Sequence, residues 1–273
     1  MNDKDALVVI TIPIYKETLT ATEKASFKQI FATLLKHHIC LFTFRELDLS
    51  EYKKVAEGCK YEVIYFEKKY FSNIAGYNKL LCNTLFYKTF SMFKYLLIYQ
   101  LDAWVFSDDL TAWCSLDYDY VGAPWFSSDK PASGLPHFLG IGNGGFSLRK
   151  IKSHLKILNR FSYIISPTYL LNRFISEINF TTFKKLLYGV SFDNNTHHLL
   201  GKNNLYEDVF WGQVIKKHKW FKAPDMLTAS RFSMESNAEK LYQINGRLPF
   251  GCHAWGTYDP DFWSTHIILN SES

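Results

Sequence analysis

Short apolar runs punctuate the first hundred residues of this chain at intervals that leave room for helices between them. Runs at residues 7–14, 39–44 and 62–66, and a fourth that ends near Gln100, are rich in β-branched and aromatic residues. Such composition favours buried strands. The chain is therefore expected to build a sheet from strands that are far enough apart to be joined by helical crossovers.

The segments between these runs carry helix signals. Thr20 and Glu23 have the spacing of a capping box, which predicts a helix through about Lys36. Ser72 or Asn73 can cap a second helix that runs towards Phe90. The alternation predicts an α/β fold: a mostly parallel, Rossmann-like nucleotide-binding sheet with helices on both faces.

A chain of 273 residues can bury a substantial core as one unit, so we expect a single domain over residues 1–273. Residues 1–125 would form a nucleotide-binding half and residues 126–273 an acceptor-binding half, with a helical, aromatic insertion at about 151–200. The segment 126–136 is rich in Ser, Pro and Gly and is predicted to be a loop able to cover a site.

Composition narrows the classes of partner. The formal charge is a modest +5, and no basic run interleaves with aromatic residues as in nucleic-acid-binding motifs. Aromatic residues make up 17% of the chain, which suits stacking on bases and sugars. We expect no signal peptide, no membrane span and reduced cysteines. The expected location is the cytoplasm, with peripheral contact at the inner face of the membrane.

A carboxylate follows the fourth apolar run, at Asp102. Ligands of open α/β sheets bind beyond the carboxyl ends of strands, and a divalent cation with oxygen ligands neutralises a diphosphate leaving group well. Asp102 is therefore the first candidate metal ligand. The alternative is a strand-end carboxylate that only bonds to nearby amides.

Glu207 and Asp208 precede a segment with helical apolar spacing, so both carboxylates are expected at a helix N-terminus. The helix dipole favours the ionised form there, and this is the state that a general base needs. Plain N-capping is an alternative for either residue.

A glycine-rich turn, Gly142-Asn143-Gly144-Gly145, lies before a segment in which the apolar residues Phe146 and Leu148 alternate with polar ones. The missing side chains of Gly144 and Gly145 would let a ligand approach the backbone closely. His253 is a candidate imidazole ligand, although a lone histidine can also be structural. Asn78 and Lys79 lie on the helix before the Asp102 strand and could reach a base or a phosphate, or could face solvent.

The order of these motifs resembles that of GT-A type glycosyltransferases, and most closely an uncharacterised bacterial family related to them, over most of the chain. In such enzymes an Asp-x-Asp motif ends a central strand and holds a divalent metal with the nucleotide diphosphate. Gln100-Leu101-Asp102 stands in that place, with Gln100 instead of the first acid. The resemblance implies Mn²⁺ or Mg²⁺ held by Asp102 and His253, while Gln100 could bond a ribose hydroxyl.

The resemblance also implies roles for other residues. Glu207-Asp208-Val209 is similar to the Glu-Asp-Val motif of galactosyl- and N-acetylglucosaminyltransferases, in which the second acid is the base. That role falls on Asp208, with Glu207 as a second catalytic candidate. The glycine-rich turn would line the donor-sugar pocket. Pro13 and Tyr15 would form the base-binding edge, which implies a UDP-sugar donor.

The predicted function is transfer of a hexosyl or N-acetylhexosaminyl group from a UDP-sugar to a hydroxyl of a saccharide or lipid-linked acceptor. Inversion is expected, and the resemblance implies bacterial surface polysaccharide synthesis. The alternatives are a retaining transferase, a sugar-nucleotide nucleotidyltransferase, and a catalytically inactive carbohydrate- or nucleotide-binding module. The nucleotidyltransferase is disfavoured because the segment 13–17 lacks the glycines of its loop. The inactive binding module remains an alternative because Gln100 replaces the first acid of the Asp-x-Asp motif.

Overall fold

The computed structural model describes residues 6–128, 134–160, 162–201, 206–215 and 218–269. The strands are β1 (Ala6–Pro13), β2 (His38–Thr43), β3 (Glu62–Tyr65), β4 (Phe93–Tyr99), β5 (Ala103–Val105), β6 (Tyr120–Val121), β7 (Pro124–Phe126), β8 (Phe138–Ile141), β9 (Phe146–Lys150), β10 (Ser233–Met234) and β11 (Gly251–His253).

The α-helices are α1 (Ala21–Leu34), α2 (Ser50–Val55), α3 (Ile74–Leu81), α4 (Thr84–Thr89), α5 (Leu110–Ser115), α6 (Ile151–Leu158), α7 (Pro167–Ser176), α8 (Phe180–Val190), α9 (Thr196–Gly201), α10 (Glu207–Val209), α11 (Met226–Phe232), α12 (Ala238–Asn245) and α13 (Pro260–Ser264). There are also 3₁₀ helices at Lys68–Tyr70 and Phe192–Asn194 and a π-helix at Phe210–Val214.

The main sheet has six strands in the order β3-β2-β1-β4-β9-β6. The pairs β1–β2, β1–β4 and β2–β3 are parallel. The pairs β4–β9 and β6–β9 are antiparallel. The sheet is thus mostly parallel, as predicted, and β1 and β4 lie at its centre, where their carboxyl ends reach the same edge.

Helices cover both faces of the sheet. Val8, Ile10 and Ile12 of β1 belong to one core cluster with buried residues of α1, α2 and α5. Val9 belongs to a second cluster with residues of α3, α4 and α6. Successive strand residues point to opposite faces, so β1 is buried on both sides, as a central parallel strand requires. The predicted α/β class is confirmed.

The capping box predicted for α1 is present, whereas the next helical segment differs from the prediction. The Thr20 hydroxyl accepts a hydrogen bond from the Glu23 amide at 3.3 Å, and the Glu23 carboxylate accepts one from the Thr20 amide at 2.8 Å. The helix expected towards Phe90 is two helices, α3 and α4. Asn83 interrupts it because its side chain accepts from the Leu85 amide at 2.8 Å and caps α4.

The segment 118–125 is divided between two sheets. β6 pairs with β9 in the main sheet, whereas β7 pairs with β8 in a two-stranded sheet. The break lies at Gly122, where a Cβ atom would come within 1.8 Å of the carbonyl oxygen of Gly142. This close backbone approach turns the chain out of the main sheet.

A third sheet of order β10-β11-β5 brings late parts of the chain to the carboxyl end of β4. The expected helical insertion contains α6 to α9. Part of the predicted loop at 126–136, residues 129–133, lies outside the described residues. Among the described residues, no helix combines the length and the apolar character needed to cross a bilayer.

Candidate active site

Asp102 lies at the carboxyl edge of the main sheet, directly after β4. The Gln100 amide donates to the carbonyl of Gly145 at 2.8 Å, which holds the end of β4 against the glycine-rich turn. The Asp102 side chain is 53% exposed, and its Oδ1 is 3.1 Å from His253 Nε2. Asp102 therefore offers a carboxylate to solvent at the edge where ligands of such sheets bind.

Strand pairing explains how His253 reaches Asp102. β11 runs antiparallel to β5 with His253 opposite Ala103, the residue that follows Asp102. His253 Nε2 also lies 3.3 Å from Gln100 Oε1. The two predicted metal ligands, far apart in sequence, are thus brought together by the β5–β11 register.

A second acid, Glu235, lies on the other side of the histidine ring. His253 Nδ1 is 3.2 Å from Glu235 Oε1, and the Trp125 indole donates to Glu235 Oε2 at 2.7 Å. Burial opposes protonation of His253, but hydrogen bonds and charge from Asp102 and Glu235 raise its pKa to about 10. Burial would raise the pKa of Asp102, but the hydrogen bond and charge of His253 hold it below its ordinary value.

The glycine-rich turn joins this cluster to the Glu207-Asp208 segment. Asn143 has a left-handed φ of 79° and is buried. Its side-chain oxygen accepts from the amides of Gly145 at 3.2 Å and Phe146 at 3.0 Å. The Gly144 amide donates to Asp208 Oδ2 at 3.1 Å. Adjacent residues of one turn thereby contact the proposed base on one side and the histidine cluster on the other.

Both glycines are required by close packing. A Cβ atom on Gly145 would lie 1.9 Å from His253 Nε2. A Cβ atom on Gly144 would lie 2.4 Å from Glu207 Oε1. The absent side chains thus make room for side chains of the site itself, in addition to any ligand that approaches the backbone.

Asp208 is partly exposed, and Glu207 is not. Asp208 Oδ1 accepts from the Val209 amide at 2.8 Å. Two amides therefore hold Asp208, which leaves lone pairs of both oxygens for a substrate proton. Burial raises the pKa of Asp208 in spite of these hydrogen bonds. The dipole effect expected from the sequence is outweighed, because α10 is a single short turn that continues as a π-helix.

Glu207 forms a buried ion pair with Arg149. The Glu207 oxygens accept from Arg149 NH1 and NH2 at 2.8 Å each, and the side chains are 2% and 0% exposed, respectively. The Glu207 amide is bonded to Asn78 Oδ1 at 3.0 Å. Burial raises the pKa of the Glu207 carboxyl against the opposing charge of Arg149. This geometry fixes the start of α10 and leaves Glu207 without an open face.

The residues predicted for the base-binding edge occupy different environments. Pro13 is buried in β1 opposite Phe42. Tyr15 is 54% exposed, and burial of its hydroxyl, together with the charges of Glu23 and Asp102, raises its pKa. Lys79 is exposed on α3. Tyr15 therefore shares the edge of the sheet with Asp102, while the side-chain oxygen of Asn78 is engaged in the Glu207 hydrogen bond.

Three residues of the site were not identified from the sequence: Glu235, Trp125 and Arg149. Glu235 follows β10, whose Met234 pairs with Cys252 of β11, so the next position comes beside His253. No sequence pattern predicts that β10 and β11 pair in parallel. Arg149 lies in β9 within the segment already singled out, but its partner Glu207 could be found only from the fold.

Two cavities open away from this cluster. One of about 620 Å³ lies beside α1 and Trp104, and another of about 800 Å³ lies beside Lys150 and Trp220. Neither is lined by Asp102, Asp208 or His253.

Solved structures with some likeness to this chain include several sugar transferases. Mouse xyloside xylosyltransferase 1 is 12% identical with a TM-score of 0.45, over 91% of this chain and 97% of its own. The glycosyltransferase GlyE of Streptococcus pneumoniae is 12% identical with a TM-score of 0.46, over 96% of this chain and 61% of its own. Core-mannan synthase A of Aspergillus fumigatus, in a Mn/GDP form, is 10% identical with a TM-score of 0.42, over 75% of this chain and 71% of its own.

No curated protein sequence matches the chain. A family model does match, over residues 60–253, and its description is protein of unknown function DUF5672. That span includes Asp102, the glycine-rich turn, Asp208 and His253. By this match over more than half of its length, the chain belongs to the DUF5672 family.

Proposed function

We propose that this protein is a GT-A type glycosyltransferase that moves a sugar from a nucleotide-sugar donor to an acceptor hydroxyl. One observation carries the proposal: the turn at Gly144 and Gly145 contacts Asp208 on one side and His253, beside Asp102, on the other. A proton acceptor and a possible metal site therefore flank one stretch of backbone. Sugar transfer with a diphosphate leaving group needs both functions close together.

Asp102 and His253 form a pair of ligands that fits a divalent cation whose other ligands come from a diphosphate and water. Asp102 Oδ1 and His253 Nε2 are 3.1 Å apart, and adjacent ligands in octahedral coordination at 2.0–2.1 Å lie about 3 Å apart. In the described part of the chain, no group of three or more His, Cys, Asp and Glu side chains could hold a metal alone. Mg²⁺ and similar cations commonly take one or two protein ligands and complete their shell with phosphates and water.

Asp102 and His253 would hold Mn²⁺ or Mg²⁺ after His253 releases the proton that it shares with Asp102, because only a neutral imidazole is a metal ligand. The bound metal would neutralise charge on the departing diphosphate. Glu235 contacts the other ring nitrogen, Nδ1, and accepts a hydrogen bond from Trp125, so it would fix the orientation of the His253 ring. Gln100 lies beside the same ring and is the residue proposed to bond a ribose hydroxyl.

Asp208 would act as the base, removing the proton of the acceptor hydroxyl as that oxygen attacks the anomeric carbon. Burial raises its pKa, which makes its carboxylate a stronger proton acceptor than that of an ordinary aspartate. Glu207, which the sequence had suggested as a second catalytic acid, is proposed to be a positioning residue. Its ion pair with Arg149 holds the first turn of α10 and hence Asp208.

The donor is proposed to be a UDP-sugar, with Tyr15 at the base-binding edge beside Asp102. Pro13 would contribute only through the backbone that places Tyr15, because it is buried. Lys79 is an exposed cation on α3 that could meet a phosphate. The proposed acceptor is a saccharide or a lipid-linked sugar, with residues 126–273 as the acceptor half of a single domain.

A donor screen tests the proposal. The protein is incubated with UDP- and GDP-sugars, saccharide acceptors and Mn²⁺, and release of nucleoside diphosphate is measured for the wild type, Asp102→Ala and Asp261→Ala. Asp261 is an exposed aspartate of α13 and serves as the matched control. Turnover by the wild type and the control, but not by Asp102→Ala, supports the proposal.

The products of the reaction distinguish the alternative functions. Proton NMR of the first product gives the anomeric configuration, and retention would replace the inverting scheme with a retaining one. Production of a sugar nucleotide from a nucleoside triphosphate would identify a nucleotidyltransferase. Nucleotide binding without turnover over the whole donor and acceptor set would identify a binding module.

A further inference from the structure

The helical hairpin formed by α7 and α8, residues 167–190, exposes an unusual density of apolar side chains. Nine of the 26 exposed large apolar side chains in the described part of the chain lie in this hairpin. The most exposed are Ile175, Ile178 and Phe180, at 63%, 80% and 70%, around the connection between the two helices. Single exposed apolar residues are normal on a protein surface, whereas a cluster marks an interaction site.

Helices α7 and α8 contact each other at two places, and these contacts hold the exposed side chains in a common arrangement. Leu170 fits against Gly189, where a Cβ atom would come within 2.2 Å of Leu170 Cδ1. The rings of Phe174 and Phe183 pack with centroids 5.9 Å apart. These contacts hold α7 against α8 on their inner sides and leave the outer sides and the connection to solvent.

A polar clamp ties the base of the hairpin to the rest of the chain. Asn194 Nδ2 donates to the carbonyls of Ile165 at 2.7 Å and Gly189 at 3.0 Å. The Ile165 amide donates back to Asn194 Oδ1 at 2.9 Å. The connection at residues 177–179, in which the exposed Ile178 lies between Glu177 and Asn179, is therefore at the end of the hairpin opposite its anchored base.

Basic side chains lie beside the exposed apolar side chains of the hairpin. Lys184 lies over the ring of Phe180, with its Nζ 4.5 Å from the centroid, and Lys185 is the next residue. Both are exposed on α8. An apolar surface bordered by lysines is the composition with which peripheral helices bind the interface of an anionic bilayer.

We infer that the α7–α8 hairpin docks the protein on anionic lipid bilayers, with Ile178 and Phe180 entering the acyl region and Lys184 and Lys185 meeting the headgroups. A bilayer fits this surface better than a second copy of the chain. Ile178 and Phe180 are 80% and 70% exposed, and a deformable lipid interface accepts such side chains without a complementary protein surface. A stable protein interface instead needs a complementary face of about 800 Å² per partner. The inference goes beyond the proposed function, because membrane binding is independent of the reaction performed.

Vesicle sedimentation tests the inference. The whole protein is mixed with vesicles of phosphatidylcholine alone, and with vesicles of phosphatidylcholine and phosphatidylglycerol. The tip variant carries Ile178→Ser and Phe180→Ser, and the charge variant carries Lys184→Gln and Lys185→Gln. The control carries Met92→Ser and Ile244→Ser, two exposed apolar positions outside the hairpin at 64% and 52%.

The wild type and the control are expected to bind the anionic vesicles. The partition coefficient of the tip variant is expected to be lower by about tenfold or more. The charge variant should lose the preference for anionic lipid, and added salt should weaken wild-type binding. Binding that is absent, or equal in the tip variant, overturns the inference. So does a concentration-dependent dimer, seen by analytical ultracentrifugation, that the tip variant abolishes. Because every substituted side chain is exposed, the melting temperature of each variant should equal that of the wild type. The melting curve also checks that each variant is folded.

Discussion

Replacing Glu207 with Gln should destabilise the fold far more than it impairs the chemistry. The substitution keeps the shape of the side chain but removes the charge that balances Arg149, which is 0% exposed. Breaking a buried ion pair by neutralising one partner costs about 3–5 kcal/mol, because the other charge stays buried without compensation. The structure thus assigns Glu207 a large share of the net stability of the protein.

The expected shift in melting temperature follows from chain length. At about 2.1 cal/mol/K per residue, unfolding 273 residues has an entropy of about 0.6 kcal/mol/K at the midpoint. A loss of about 3–5 kcal/mol then lowers the midpoint by about 5–9 °C. Circular dichroism melts at neutral pH, with no nucleotide present, measure this shift.

An exposed ion pair supplies the matched control. Glu177 lies 3.9 Å from Arg173, and their side chains are 58% and 43% exposed. Glu177→Gln should therefore change stability by less than about 1 kcal/mol. Replacing the whole buried pair, with Arg149→Met and Glu207→Leu together, should recover part of the loss.

The same variants decide whether Glu207 is structural or catalytic. A positioning role predicts a lowered melting temperature for Glu207→Gln, with kcat at a temperature well below unfolding reduced only modestly. If instead the melting temperature were unchanged and kcat fell by about 100-fold or more, Glu207 would be the catalytic acid. The assignment of the base to Asp208 would then be refuted.

Four further predictions concern the site. Asp208→Asn should lower kcat by about 10²- to 10⁴-fold, with the nucleotide Kd from calorimetry nearly unchanged; a normal kcat would rule out this base. Because burial raises the pKa of Asp208, and only its ionised form accepts a proton, kcat/KM should rise with pH through an acidic limb above the ordinary aspartate value of about 4. Gly145→Ala should abolish Mn²⁺-dependent nucleotide binding, since its Cβ would meet His253, whereas Gly256→Ala, with no atom within 4 Å, should bind normally; equal loss in both would contradict the packing argument. Glu235→Gln should weaken Mn²⁺ binding by about 10- to 100-fold in titrations followed by electron paramagnetic resonance, and an unchanged Kd would show that the second shell does not orient the ring.

The sheet and the strand-end acid could be predicted because their signals are local. Apolar runs with β-branched residues identified β1 to β4, and the Thr20 capping box identified the start of α1. The position of Asp102 followed from the end of one such run. Each of these inferences needed only neighbouring residues and the geometry of a strand or a helix turn.

The remaining features depend on contacts between distant segments. Glu235 comes beside His253 through a two-residue parallel pairing of β10 with β11, too short to leave a periodic signal. The break between β6 and β7 depends on Gly122 meeting the carbonyl of Gly142, which no local pattern encodes. Glu207 looks like a catalytic acid in sequence, and only the buried position of Arg149 shows that its charge is already matched.

The most direct test of the central claim is calorimetric titration with UDP, in Mn²⁺ and then in excess chelator. It is made on the wild type, Asp102→Ala and the control Asp261→Ala. The account predicts Mn²⁺-dependent binding by the wild type and the control that weakens about tenfold or more in Asp102→Ala. Binding that is equally tight in chelator, or unchanged in Asp102→Ala, would contradict the assignment of Asp102 and His253 to a metal-assisted donor site.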